Sequence, residues 1–202
     1  MNTQAEAWAG EFGDRYAARS PGSVEANIEF FKRALPAREW SGRGEIKTVI
    51  EFGAGVGSNL EALHRLMPDT ILSGVEINAE SARQASYWAG MTTGSMLDWD
   101  ATIPYDLSMT KGVLIHIPPA DLPRAYTVLY ESSCRYILIA EYYAPKSTMI
   151  PYRGKDDMLW KRDFAGEMMD KYPDLKLSDY GFVYHRDPYP QDDLNWFLLQ
   201  KT

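Results

Sequence analysis

Three glycines, Gly53, Gly55 and Gly57, alternate with small residues in VIEFGAGVGSN (49–59), directly after a run of strand-forming residues. Such a turn is what a chain needs where its backbone must come close to something else. Glu76 ends the next apolar run, SGVEI, about where a carboxylate would accept hydrogen bonds from the two hydroxyls of a ribose. Together these features point to a ribose-bearing ligand. Further on, His116 stands in KGVLIHIPP, and imidazole is the usual general base near neutral pH. There it could take a proton from a hydroxyl or ammonium nucleophile; its isoleucine neighbours equally suit a packed, hydrogen-bonded histidine. Tyr142 and Tyr143 close YILIAEYY, where strand alternation turns only one of them inward. In YRGKDD, next to Tyr152, Arg153 could grip a carboxylate or phosphate as a bidentate fork and Lys155 as a point charge. YHRDPYPQDD adds His185, Arg186 and Asp187, in a proline-rich loop that could equally carry them without function.

The elements that position these residues follow from periodicity. Residues 1–46 read as a helical N-terminal extension, with Val24, Ile28, Phe31 and Leu35 on one helical face and PAREWSGRGE as the loop that follows. WAGEFGDRY within it sets Trp8, Phe12 and Tyr16 around Gly10 and Gly13. With both glycines breaking helical continuity, it reads as a hinged aromatic lid; the alternative is a helix docked on the sheet. From residue 47 to 202, apolar stretches of strand length alternate with helical segments. Continuous apolar runs mark strands buried on both faces, the pattern of a doubly wound, mainly parallel α/β sheet. The last two strand segments, LKLSDYGFVYH and DLNWFLLQK, have no helix between them and predict an antiparallel hairpin. In such a sheet ligands bind beyond the C-terminal strand ends where the strand order reverses, and the glycine turn belongs to that crevice. With no internal repeat and no convincing linker, the chain reads as a single domain.

Composition narrows the partners. At 202 residues the chain suffices for one well-cored domain, and a net charge of −7 argues against a broad phosphate-binding surface. A small-molecule partner is expected, with no nucleic acid and no membrane; the sequence is silent on oligomeric state. Cys134 is the single cysteine, so neither an intrachain disulfide nor a cysteine metal cluster can form. MNTQAEAWAGEFGDRY lacks the basic start and apolar core of a secretory signal, and no apolar run approaches a membrane span. A soluble, cytoplasmic protein is expected.

The glycine spacing is G-x-G-x-G rather than the dinucleotide fingerprint G-x-G-x-x-G, with Ser58 where the third glycine would stand. Glu51-Phe52-Gly53-Ala54-Gly55-Val56-Gly57 resembles the first motif of class I S-adenosylmethionine-dependent methyltransferases, and the antiparallel ending also resembles that seven-stranded Rossmann-like fold. WAGEFGDRY, TKGVLIHIPP, RYILIAEYYAP, YRGKDD, KRDFAGEMMDKYPDL and DYGFVYHRDPYPQDDLNWFLL, covering most of the chain, together resemble the methylases associated with pseudaminic acid biosynthesis. The resemblance implies S-adenosyl-L-methionine as cofactor and a sugar or nucleotide sugar as acceptor, with no metal. It places the methionyl end over Gly53, Ala54, Gly55, Gly57 and Asn59, with Glu51 behind them, and Glu76 and Ile77 on the ribose. Ser95 and Met96 border adenine, although many relatives carry an aspartate where Ser95 stands. The backbone carbonyls of Thr110, Lys111 and Gly112 at the fourth strand's end reach the amino group, while the Lys111 side chain could equally be solvated. As part of the lid read above, Phe12 and Tyr16 would cover the cofactor. His116, Tyr142 and His185 are the catalytic candidates, and Tyr143, Tyr152, Arg153 and Arg186 the acceptor-binding ones. An NAD-dependent oxidoreductase and a noncatalytic cofactor-binding protein are the competing readings.

Overall fold

The computed structural model describes residues 3–19, 22–36, 46–152 and 158–202. The sequence opens with three helices, α1 (Thr3–Ala9), α2 (Glu11–Arg19) and α3 (Val24–Ala34). The predicted break at Gly10 separates α1 from α2, but Gly13 lies inside α2. A side chain at Gly13 would collide with the backbone carbonyl of Trp8, so this glycine serves close helix-to-helix approach rather than a hinge. Ser23 caps α3, its hydroxyl accepting from the Ala26 N–H at 3.2 Å. The buried face of α3 carries Ala26, Asn27, Phe30, Phe31 and Ala34, rotated from the expected one, so that Val24 and Ile28 sit at its margin. The rotation turns a polar residue, Asn27, into the molecule. The predicted loop at 37–45 lies outside the described residues.

The apolar runs then become β1 (Thr48–Phe52), β2 (Ile71–Glu76), β3 (Gly90–Thr93), β4 (Tyr105–Lys111) and β5 (Ser133–Glu141). Between them come α4 (Ser58–Leu66), α5 (Ala79–Ala85) and α6 (Leu122–Glu131). A small two-stranded hairpin, β6 (Thr148–Met149) with β7 (Trp160–Lys161), precedes α7 (Phe164–Lys171) and the closing strands β8 (Leu175–Val183) and β9 (Leu194–Lys201). One seven-stranded sheet results, in the order β3-β2-β1-β4-β5-β9-β8. Its first five strands are parallel, while β9 runs antiparallel to both β5 and β8, as the missing last helix requires. Strand order reverses between β1 and β4, which pair Phe52 with Thr110. The crevice of an open α/β sheet forms at such a reversal.

Two apolar layers flank the sheet. Phe30, Phe31, Leu60, Leu63, Val49, Met109 and Leu138 fill the side of α3 and α4. Ile50, Phe52, Ile137, Ile139, Leu122, Leu129 and Met168 fill the side of α6 and α7. Strand alternation does the sorting: Val49 and Glu51 face α4 while Ile50 and Phe52 face α6, and Lys111 shares the α3–α4 side with Met109.

Candidate active site

A cleft of about 1060 Å³ lies at the C-terminal ends of the parallel strands, roofed by the N-terminal helices and by the segments around β8 and β9. The glycine turn forms its floor. Gly55 has φ +54, and a side chain there would meet no atom of the described residues within 4 Å, so this face of the turn opens into the cleft. The other two glycines serve packing. A side chain at Gly53 would strike Val113, and one at Gly57 would come within 2.9 Å of Ala85 in α5, so Gly57 lies away from the cleft.

Glu76 lines the cleft at the end of β2. Its two carboxylate oxygens accept from the Gly55 and Asn78 N–H groups, each at 2.8 Å, so the residue also braces the glycine turn. Burial pushes its carboxyl above the usual range, opposed by these backbone hydrogen bonds. Glu51 lies beneath the turn, fully buried, accepting from Asn59 Nδ2 at 2.6 Å. Burial raises its carboxyl to about 8, leaving it largely protonated at neutrality. It does not line the cleft, whereas Asn59, at the start of α4, does. Gly53, Ala54, Ile77, Ser95, Met96, Lys111 and Gly112 line it too. Ser95 caps the 3-10 turn Met96–Asp98, accepting from the Leu97 N–H at 3.1 Å. The Thr110 side chain is fully buried and does not line the cleft; what is expected of this residue is its backbone carbonyl at the strand end.

On the acceptor side, His116 ends the 3-10 turn Leu114–His116 and lines the cleft. Its Nδ1 lies 2.8 Å from the Met158 carbonyl, which can only accept, so Nδ1 carries the proton. The ring sits between Trp8 and Tyr152, with centroids 4.7 and 5.3 Å away. Burial drives its pKa down to about 4, which weakens it as a general base. His185, more exposed, also lines the cleft, and both oxygens of Asp193 lie 2.9 Å from its Nδ1. Asp193 also accepts from the His185 backbone N–H at 2.8 Å, and these two bonds, backbone first, hold its carboxyl low. An ionised Asp193 thus orients the imidazole with Nε2 left as its acceptor. Tyr142 lines the cleft and donates to Asp192 at 3.0 Å.

Several expected residues lie elsewhere. Tyr143 turns outward against Phe197, because Tyr142 takes the inward position of the pair. Arg186 is exposed and away from the cleft, and Asp187 is held by Arg33 of α3 at 2.9 Å. Phe12 packs edge-on against Trp8 and does not line the cleft; Trp8 does. Arg153, Lys155 and the Tyr16 side chain lie outside the described residues.

Two residues escaped sequence reasoning. Glu141, at the end of β5, accepts from the Val113 and Leu114 N–H groups at 3.0 Å and from that of Ile115 at 3.4 Å, pinning the turn that carries His116. Burial raises its carboxyl to about 7. Its signal was an acid ending an apolar strand, as at Glu76. Asn27 of α3 accepts from Lys111 Nζ at 3.0 Å and from Gln191 at 3.3 Å, and donates to Ser58 at 3.3 Å. Its signal was a polar residue four positions before Phe31, in an apolar stripe.

No family model and no curated protein sequence matches the chain. Solved structures do. Magnesium protoporphyrin IX methyltransferase of Synechocystis PCC 6803, with bound S-adenosylhomocysteine, is 14% identical with a TM-score of 0.71, covering 98% of each chain. The 1,6-didemethyltoxoflavin-N1-methyltransferase of Burkholderia thailandensis, with its substrate and S-adenosylhomocysteine, is 11% identical with a TM-score of 0.70, covering 98% of this chain and 87% of that one. The plantazolicin methyltransferase BpumL, also with S-adenosylhomocysteine, is 12% identical with a TM-score of 0.66, covering 98% and 94%. The chain therefore has the fold of the class I S-adenosylmethionine-dependent methyltransferases.

Proposed function

We propose that the chain is an S-adenosylmethionine-dependent methyltransferase acting on a small acceptor of the sugar or nucleotide-sugar type. The observation that carries the reading is Gly55: its open side faces the cleft at the strand-order reversal, with Glu76 beside it. The residues fit the cofactor. Gly55 leaves room for it, with Gly53 and Ala54 lining the same turn, Glu76 has lone pairs left for ribose hydroxyls, and Ser95, Met96 and Leu97 wall the place of the base. Glu76, Glu141 and Asp192 give the cleft an acidic lining that suits a cationic ligand.

When bound, the cofactor supplies an electrophilic methyl group on a sulfonium. The chain's own task is to align the acceptor with it, exclude water and remove a proton from the attacking hydroxyl. His185, oriented by Asp193, is the base this geometry supports best; Tyr142, Tyr152 and Asp192 offer hydrogen-bonding groups for a polyhydroxylated acceptor. The sugar-type acceptor rests on the resemblance to the pseudaminic acid-associated methylases and on this tyrosine-rich mouth. The antiparallel β8–β9 pair separates the sheet from an all-parallel dinucleotide-binding one. Nucleic acid is not a partner in this reading, given the net charge of −7.

Calorimetric titration with S-adenosylmethionine, S-adenosylhomocysteine and NAD tests the proposal. Both sulfur ligands are expected to bind and NAD is not. Folded Gly55→Val should lose them, because its side chain would occupy ligand space. Failure of either sulfur ligand to bind the unaltered protein would end the reading.

A further inference from the structure

The loop between β8 and β9 brings His185 to the cleft, yet what fixes it lies outside the cleft. Its first turn runs from Tyr184 to Asp187 and is closed by the Asp187 N–H, which donates to the Tyr184 carbonyl at 2.9 Å. His185 is the second residue of that turn. At this corner Asp193 accepts from both the backbone N–H and the ring of His185. The far corner is tied to α3, where the Asp187 carboxylate accepts from Arg33 at 2.9 Å, with a second, longer contact of 3.5 Å. That hydrogen bond raises the Arg33 guanidinium above its ordinary pKa and holds the Asp187 carboxyl below its own. Glu29, one turn back on α3, is taken by Lys32 at 2.7 Å, which leaves Arg33 to Asp187.

We propose that Arg33 is a positioning residue for the acceptor side of the cleft: through Asp187 it fixes the turn that presents His185. This rests on the methyltransferase reading above and on His185 as its base. Neither Arg33 nor Asp187 lines the cleft, so the effect passes through the backbone of the turn. A turn held only at His185 by Asp193 can still pivot about that point; a second anchor two residues further on removes the pivot. The anchor is firm because Arg33 stands in the last turn of a helix whose Phe30, Phe31 and Ala34 are buried in the core. Its planar fork also matches a carboxylate better than a lysine would. The rest of the loop follows the same helix. Gln191 donates to Asn27 at 3.3 Å, and a gap of only about 10 Å³ separates Phe30 and Arg33 from Val183, Tyr189 and Gln191.

Both partners of the ion pair face solvent, where water screens the attraction and little stability is gained. Its worth is geometric. A base displaced by about 1 Å from its productive place costs about 100-fold in rate, so a contact nearly neutral for folding can be decisive for turnover. Stability and positioning therefore separate in experiment.

The test uses Arg33→Met and the charge exchange that combines Arg33→Asp with Asp187→Arg. Arg33→Met should shift the thermal midpoint by less than about 3 °C. By calorimetry it should bind S-adenosylhomocysteine within about twofold of the unaltered protein, since the two places share no partner. Ring nitrogen-15 NMR at pH 8 then reads His185, one of three histidines in the chain. The unaltered protein should carry its ring proton on Nδ1, as the Asp193 contact dictates; Arg33→Met should lose that preference, and the charge exchange should restore it. Transfer from labelled S-adenosylmethionine to a panel of nucleotide sugars should fall at least about tenfold in Arg33→Met, in kcat rather than KM, and recover in the exchange variant. An unchanged His185 spectrum in Arg33→Met overturns the proposal, even where no sugar of the panel is methylated. So does a changed spectrum with unchanged transfer, or a loss that the exchange does not repair. A loss matched by equal weakening of S-adenosylhomocysteine binding overturns it as well, because Arg33 would then serve the fold at large. If the unaltered protein does not bind S-adenosylhomocysteine, the methyltransferase reading fails and takes this proposal with it.

Discussion

The two cleft histidines divide their tasks by environment. His116 is sandwiched by Trp8 and Tyr152 and committed through Nδ1 to the Met158 carbonyl, so burial suppresses its basicity. His185 is set in a wetter place and oriented by Asp193. A base that must accept a proton at neutral pH gains from a nearby carboxylate and loses from desolvation. His185→Asn is therefore expected to lower kcat by about 100- to 10,000-fold for a hydroxyl acceptor, with cofactor affinity unchanged. His116→Asn preserves a donor toward Met158 and should lower kcat by less than about tenfold. Steady-state kinetics on both variants decides the matter, and the reverse order of losses would return the base to His116.

At the scale of elements, the site is assembled by contacts across the cleft. Glu141 of β5 holds the 3-10 turn of His116 by its backbone, and Gln4 of α1 donates to the Met158 carbonyl at 3.2 Å. Asn78, the cap of α5, donates to Asp14 of α2 at 2.7 Å. These bonds seat α1 and α2 on the cleft, with Trp8 over His116. The closeness of α1 and α2 depends on Gly13, where a β-carbon would strike the Trp8 carbonyl and approach Asn78 to 3.0 Å. Gly13→Ala should loosen both helices and leave the sheet intact, because overpacking of a tight contact costs about 1–3 kcal/mol locally. Limited proteolysis should then cut the N-terminal helices about tenfold faster, while the main thermal transition stays cooperative. An unchanged cleavage rate would mean that α1 shifts without cost and does not act as a cover.

For the whole molecule, buried carboxyls set the response to pH. Glu51 and Glu141 have native pKa values of about 8 and 7, above the ordinary 4.5, because burial penalises their charged forms. Between pH 5 and 7 the folded chain holds protons that the unfolded chain has released, so stability falls as pH rises, on the order of 1 kcal/mol per pH unit for each group. His116, lowered from 6.5 to about 4, works in the opposite sense between those two values, since the unfolded chain binds its proton first. Glu51→Gln keeps an acceptor for Asn59 and removes one titration. Its stability relative to the unaltered protein should rise steadily from pH 5 to 8, measured by denaturant unfolding at each pH. A constant difference would show that Glu51 is ionised in the folded state.

What the sequence determined by itself was local. The run TVIEF followed by alternating glycines marked β1 and the ligand turn, because glycine turn chemistry and strand period are properties of neighbouring residues. The missing helix before DLNWFLLQK announced the antiparallel ending for the same reason. The G-x-G-x-G motif did not distinguish the open Gly55 from the packing Gly57, since that depends on α5 approaching from elsewhere in the chain. Nor did the sequence find Asn27, which reaches Lys111 across 84 positions, or Asp193 as the partner of the candidate His185, since the two meet only when the loop between β8 and β9 folds back. Which side chains look into the cleft was decided by the tertiary structure, because strand order and helix rotation are set by burying apolar faces against distant partners.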